Sequence, residues 1–534
     1  MIALEQAKTK RLIAVHGWSG IIIAALLYVV VLTGTIAVFA HEIGVWSRGD
    51  VALGHHELGH RIDHVVRQNA RDLDPAYMEE VSIRTSSDGY LDVFFHTHAP
   101  NAEGQIRDKG VRLEIDQATG EVVGRAEGFR SEVYPREAAS AFERFLVQLH
   151  IRLHIPGFWG LLATGVLGLW MMISGISGIL THRHAIRDLF VPERGGKRLV
   201  SARDRHVLSG TWGLLFAFLV AFTGSFFSFA GSIGIPVVGM VAFGGDQAKL
   251  VEAVIGVPSD PDATPATLAS LDYIIMDAED RAGTAPERIT IMNYGRADSS
   301  VLTQHPPRNG DITGSLYMFD GPTRTFEGIK PVLGTVPSVS NTAFNLMAPL
   351  HFGHFAGVIS KLIWLALGAA MCFVILSGSR LWMKRREDQP GWQVVRRMLV
   401  TVSYGCPIAL VFAAYAHFLA LPFKASLWWT PAAFVVASIV LLGYGCMKTE
   451  LSLLDERLRR LLGASLIGLP VCRIFVAGPS WGDALQAGST AVPVLDIAIF
   501  ATGAVLLWWP EVERLFQKPA REEPSARPVL EPAE

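Results

Sequence analysis

The chain has 534 residues, of which 50% are hydrophobic and 18% charged, a balance that excludes an ordinary soluble protein of this length and indicates a membrane protein. Its formal net charge of -2 conceals an asymmetry, because lysine and arginine cluster in a few short loops, and such clusters mark the cytoplasmic side. No nucleic-acid partner is expected.

In chain order, Lys8, Lys10 and Arg11 precede a first apolar run over about 17–39, too long for the core of a cleavable signal peptide and read as a signal anchor. His16 and Trp18 sit at its inner boundary; tryptophan is ordinary there, histidine less so. Residues 41–145 then turn polar. A helix is expected over 57–71 and strands over 81–84, 91–96 and 111–116, with a turn at 86–89 and a further short strand after Gln117-Ala118-Thr119-Gly120. This is a small α+β module. Within it His56, His60 and His64 share a helical face with His55 alongside, and His56-Glu57-Leu58-Gly59-His60 fits the zinc-protease pattern His-Glu-x-x-His. Gly59 weakens the helix such a motif needs, so a solvated face or a labile metal or haem contact is the simpler reading.

The second apolar run spans 158–180. At the rise of a helix, His154 and His182 lie about 40 Å apart, beyond the ~30 Å hydrocarbon core, so one helix is expected to carry histidines at both membrane faces. The loop over 181–205 holds seven lysines and arginines against three acids and belongs inside. The third run, 207–233, follows His206 and contains Thr223-Gly224 among small residues suited to close helix approach. A second polar stretch, 244–348, repeats the first, with a helix over 267–282 and strands over 288–293, 299–304 and 315–319, the last ending in Asp320-Gly321-Pro322-Thr323. Pro349-Leu350-His351-Phe352-Gly353-His354 leads into the fourth run, 355–383, closed by Lys384, Arg385 and Arg386. Four further spans are expected at 398–421, 427–447, 458–477 and 492–509. Eight spans with both termini inside satisfy the loop charges and divide the chain into 1–40, 41–145, 146–234, 235–348, 349–386, 387–510 and 511–534.

Sorted by side, the histidines form an inner set, His16, His182 and His206, and an outer set, His150, His154, His351 and His354. Alternate helices of an up-down bundle are diagonal neighbours and hold cofactors between them, which pairs His16 with His206 and His150 with His351. Two such pairs at two depths suit two non-covalent haem b groups, each iron taking an imidazole from either side. Zinc or copper would also take imidazole, but more often in a tighter cluster with carboxylate or thiolate. Separate histidines snorkelling to the interface are the plain alternative, and that coincidence must recur on four successive helices. His154 and His354 follow the paired residues by four and three positions and read as groups supporting the ligands or replacing them. His417, alone in the last four spans, reads as structural. The four cysteines, Cys372, Cys406, Cys446 and Cys472, lie in or beside apolar runs as small packing residues. They offer no disulfide framework, zinc ribbon or iron–sulfur spacing, and the lack of Cys-x-x-Cys-His excludes ordinary covalent haem attachment.

At these residues the chain resembles the PepSY-associated transmembrane family. The matching pieces are Arg11 with His16-Gly17-Trp18-Ser19-Gly20; Leu149-His150; Ser174-Gly175-Ile176-Ser177-Gly178-Ile179 followed by His182; Arg187-Asp188-Leu189-Phe190; His206 with Gly210; Thr223-Gly224; and Pro349-Leu350-His351-Phe352-Gly353 with Trp364, Ser377-Gly378 and Trp382. The resemblance covers roughly residues 10–386. It implies an inner-membrane protein of a Gram-negative bacterium with two PepSY-like periplasmic domains, some members being di-haem reductases of ferric siderophores. It also implies ligand roles for His16, His150, His182, His206 and His351, five candidates for four axial positions.

The expected fold is therefore a membrane all-α bundle of about eight transmembrane helices, with a four-helix haem-binding core and two small periplasmic α+β domains. The expected function is haem-dependent reduction of a ferric siderophore or other Fe(III) chelate, fed by an unidentified electron donor, since no Rossmann or flavin motif occurs. A non-enzymatic PepSY-domain regulator and a siderophore or metal permease are the alternatives.

Overall fold

The computed structural model describes residues 5–48, 61–86, 89–117, 119–181, 198–246, 249–250, 261–308, 310–332, 338–447 and 450–509. The first membrane helix, α1 (Gln6–Ala37), is followed by the short α2 (Ala40–Ser47). The first polar stretch contributes α3 (Ile62–Ala70) and strands β1 (Glu80–Thr85), β2 (Leu91–Pro100), β3 (Ile106–Ile115) and β4 (Val122–Phe129). Next come α4 (Ala141–Arg152), α5 (Phe158–Thr181), α6 (Arg198–Trp212) and α7 (Leu214–Phe229), which runs through a π turn into α8 (Ile235–Phe243). The second polar stretch contributes α9 (Leu271–Ala282), β5 (Arg288–Met292), β6 (Ser300–His305), β7 (Ser315–Asp320) and β8 (Phe326–Ile329). The chain continues with α10 (Val339–Phe352), α11 (Gly357–Lys384), α12 (Pro390–Ala420), α13 (Ser426–Cys446), α14 (Leu451–Val476) and α15 (Ala491–Leu507).

Among the described residues, six helices are long and apolar enough to cross a membrane: Gln6–Ala37, Phe158–Thr181, Leu214–Phe243, Gly357–Lys384, Pro390–Phe423 and Ser426–Cys446. The spans expected at 458–477 and 492–509 fall on α14 and on the 17-residue α15. The protein is thus a multi-pass, mostly helical membrane protein carrying an antiparallel sheet domain.

The two polar stretches share one sheet. β1 pairs antiparallel with β5, giving the order β4-β3-β2-β1-β5-β6-β7-β8. This seam aligns Val81 with Ile291 and Ile83 with Ile289, all four fully buried. Without it, each half would leave an open edge strand able to template association. Alternation turns Val93, Phe95, Val111, Leu113, Val301 and Phe319 to the same face, where α3 and α9 cover them with Val66, Leu271 and Ile274. Asp63 Oδ1 accepts the Leu271 N–H at 3.0 Å and Arg67 donates to the Leu268 carbonyl at 2.6 Å. The two halves are therefore stitched together through both layers. The repeated order of helix and strands agrees with the sequence reading; the four-residue β8 is an addition to it.

The helix expected to carry histidines at both faces is broken. α4 ends at Leu153 and His154, with φ of 52° and 55°, and Pro156 and Gly157 intervene before α5. These positive-φ positions turn the chain sharply. His150 therefore lies on α4 and not on the span. The second repeat does the same: Gly353 at φ 69° closes α10 and Gly357 at φ 58° opens α11, placing His351 on a short helix of its own. His182 lies outside the described residues, as do His55, His56 and His60.

The last helices form a denser assembly. More than half of the α12 span is buried, against a third or less for the other five, and its residues join α1, α2, α4 and α14 in one core that includes Tyr28, Trp46, Phe145, Phe418 and Leu458. Beside it, Arg473 of α14 and Asp496 of α15 form a fully buried ion pair at 2.5 Å. Trp46 and Trp481 also donate their indole N–H groups to Asp496, each at 2.8 Å. A buried carboxylate is tolerated when its lone pairs are filled in this way.

Candidate functional site: two facing histidine pairs

His16 of α1 and His206 of α6 face each other with ring centres 6.4 Å apart. His150 of α4 and His351 of α10 do so at 6.2 Å. The pairs lie at different depths, because His150 meets α1 at Gly34, eighteen residues or roughly 27 Å of helix beyond His16.

Each ring is fixed by its Nδ1 atom. His16 donates to the Ser174 carbonyl at 3.0 Å, with Ser177 Oγ at 3.3 Å. His150 donates to the Val30 carbonyl at 2.9 Å. His206 lies 3.1 Å from Ser377 Oγ, and His351 2.9 Å from Thr223 Oγ1. Those two hydroxyls give their own protons to the Val374 and Leu219 carbonyls, so they must accept from the imidazoles. All four histidines are thereby held in the Nδ1–H tautomer. Their Nε2 lone pairs stay free, the arrangement of a metal-ligating histidine whose other nitrogen is tied down.

A glycine seats each ring. A Cβ at Gly178 would come 3.1 Å from His16 Cε1, at Gly34 2.5 Å from His150, at Gly378 2.8 Å from His206, and at Gly224 3.0 Å from His351. The contacts are reciprocal: α1 and α5 seat the histidines at positions 150 and 16, while α7 and α11 seat those at 351 and 206. Each facing pair then takes one member from either repeat.

Two imidazoles bound from opposite sides of one metal at ~2 Å each have ring centres roughly 6 Å apart. The observed separations fit this. The inner pair also lines a cavity of about 1050 Å³ whose wall includes Lys10, Arg203, Arg385 and Arg386. Apolar walls, two free imidazole nitrogens and a cationic margin suit a flat apolar macrocycle bearing carboxylates, and haem is such a group.

The other sequence candidates point elsewhere. His154 stacks on Phe145 at 4.4 Å and its Nε2 bonds the Phe145 carbonyl at 2.9 Å. His354 stacks on Phe352 at 6.0 Å. His64 is exposed on α3. His417 is fully buried, with Nε2 donating to the Ser47 carbonyl at 2.8 Å.

Sequence reasoning did not assign the seats, although their signal is present. Each seating glycine follows a hydroxyl residue: Thr33-Gly34, Ser177-Gly178, Thr223-Gly224 and Ser377-Gly378. Eighteen residues separate both His16 from Gly34 and His206 from Gly224. Such a spacing, once in each repeat, marks helices that exchange histidines.

A histidine-paired helical core under a sheet defines a class of membrane protein. The chain belongs to the PepSY-associated transmembrane family, described as the PepSY-associated TM region, which matches residues 13–385. The match includes both histidine pairs and the sheet, and stops before α12. The chain is also 28% identical over 287 residues to an uncharacterized protein of Pseudomonas aeruginosa, a match covering 50% of this chain and 70% of that one.

Proposed function

We propose that the protein is a membrane oxidoreductase that holds two non-covalent haem b groups, one between His16 and His206 and one between His150 and His351, and reduces a ferric siderophore or other Fe(III) chelate. The observation that carries this reading is the wiring of the four histidines, each with Nδ1 donated, Nε2 without a hydrogen bond among the described residues, and its ring centre 6.2 or 6.4 Å from its partner's. Bound there, the two groups supply a one-electron path between the faces of the bilayer.

The chain's own residues do the rest. Backbone carbonyls and hydroxyls behind the rings fix their orientation and raise their basicity as ligands. The glycines allow the helices to approach, and the apolar cavity wall keeps water away. Lys10, Arg203, Arg385 and Arg386 supply positive charge for the carboxylates of the inner group. The charge of the basic loops supports a topology with both termini in the cytoplasm, eight crossings, α14 and α15 included, and the sheet in the periplasm of a bacterial inner membrane. Fe(II) is softer than Fe(III) and more weakly held by hard oxygen chelators, so a one-electron reduction there releases it.

Optical spectra of the purified protein test the proposal. Reduced-minus-oxidised difference spectra should show b-type bands for two haems per chain, and a ferric chelate should reoxidise the reduced protein. Absence of b-type bands ends this reading.

A further inference from the structure

The sheet carries a second histidine constellation, away from both pairs. His96 and His98 alternate with Phe95 along β2, so both point away from the α3/α9 layer. Their strand neighbours bring Glu80 and Asp108 beside them: Glu80 pairs with His96, and Asp108 with His98. His96 Nε2 lies 3.6 Å from Glu80 Oε2, and His98 Nε2 lies 4.0 Å from the same oxygen and 3.7 Å from Asp108 Oδ1. Ligand atoms of Glu80, His96 and His98 all fall within 4.8 Å of one another.

The wiring repeats that of the membrane pairs. His96 donates Nδ1–H to the Phe94 carbonyl at 3.2 Å and stacks on the Phe94 ring at 4.5 Å. The His98 Nδ1 lies 3.0 Å from Glu79 Oε1, and Thr97 and the His98 N–H bind the other oxygen of that carboxylate. Both Nε2 atoms consequently lie within 4.0 Å of the same carboxylate oxygen, Glu80 Oε2. A carboxylate behind a histidine, as Glu79 stands behind His98, is the support that metal-ligating histidines use. Arg130 occupies Asp108 Oδ2 at 3.1 Å and leaves Oδ1 for the cluster.

The fold itself does not call for these donors. Where Glu80 faces His96 in the first half of the sheet, Arg288 faces Gln304 in the second. Gly110, opposite His96, is tightly required: a Cβ there would come 2.6 Å from His96 Cα.

We infer that Glu80, His96 and His98, with Asp108 as a fourth donor, bind a divalent first-row transition cation. Two imidazoles and a carboxylate with open positions are the donor set of non-haem Fe(II) and of zinc, and they lack the all-oxygen shell that Ca²⁺ and Mg²⁺ demand. Resting on the proposed reduction of ferric chelates at this face, the occupant in the cell is the Fe(II) that reduction frees.

Equilibrium dialysis of the full-length protein in detergent against Zn²⁺ tests the site, zinc being countable apart from any haem iron. One zinc per chain should be retained, undisturbed by excess Ca²⁺. Glu79→Gln, which keeps every donor, should weaken binding about 10–100-fold, and His98→Ala should abolish it. Circular dichroism and the gel-filtration profile of the same samples report whether each variant is folded. Failure of the wild type to retain zinc, or equal retention by His98→Ala, overturns the inference. Zinc binding without b-type bands would leave this site standing and remove the reductase reading, while b-type bands without zinc would do the reverse.

Discussion

His417 is fully buried and the four paired histidines are partly buried in helical surroundings, and they are wired in opposite senses. His417 spends its Nε2 on the Ser47 carbonyl, and its Nδ1 is buried without a partner. The paired residues spend Nδ1 and keep Nε2 free to face another ring. The surroundings differ in the same direction. More than half of α12 is buried and it closes a core with a buried ion pair nearby, whereas α1, α5 and α11 leave glycine seats and a cavity of about 1050 Å³. Residue type therefore says little about a histidine's role; which nitrogen the protein has already occupied says a great deal.

The largest effect is expected from removing a pair. His16→Ala with His206→Ala should halve the b-type absorbance and leave the other half, and His150→Ala with His351→Ala should do the complement. Loss of both haems from either double variant would show that the pairs are not independent sites. His417→Ala should spare both haems and lower only stability.

Next in size is Asp496→Ala. It strands Arg473 as a buried, uncompensated charge and removes the acceptor of two indoles, a class of change that costs about 3–5 kcal/mol. Denaturant unfolding should show the loss, while the fraction that remains folded keeps an unaltered difference spectrum. A spectral change would mean that the last helices shape the histidine core directly. Gly34→Val and Gly378→Val should follow at roughly 1–3 kcal/mol, because the added carbons must displace the His150 and His206 rings. Each should bleach one haem and spare its counterpart, a pattern that general misfolding would not produce.

Parts of this were legible in the sequence for identifiable reasons. Loop charge sorted the histidines by side, and bundle geometry then proposed the partners that the structure brings face to face. Alternation of apolar residues located Val81, Ile83, Val93 and Val111 in strands, but a period of two says nothing about which edge strand meets which, so the β1–β5 seam was invisible. The break after α4 was missed because Leu153 and His154 adopt positive φ without being glycine, although Pro156-Gly157 gave a hint. The glycine seats were present as Ser/Thr-Gly steps, of which Thr223-Gly224 alone was read as a point of close helix approach, since their use as seats depends on a ring arriving from a distant segment. The metal-type cluster on β2 hid for the same reason: His96 and His98 acquire Glu80 only through strand register.

The finest test separates the two histidines of the second repeat that sit against hydroxyls. His351 has Thr223 Oγ1 as its Nδ1 acceptor, whereas His206 has the Val374 backbone carbonyl as well as Ser377 Oγ. Thr223→Val should therefore free the His351 ring to rotate and change tautomer, weakening haem retention about 10–100-fold. Ser377→Ala removes a comparable hydroxyl, but the backbone carbonyl behind His206 cannot be mutated away, so haem retention should stay within about twofold of the parent on the same principle. Titration of apo-protein with haem, monitored by absorbance, measures both. Equal losses from the two variants would mean that the hydroxyls act through helix packing and that tautomer control is not what separates these histidines from His417.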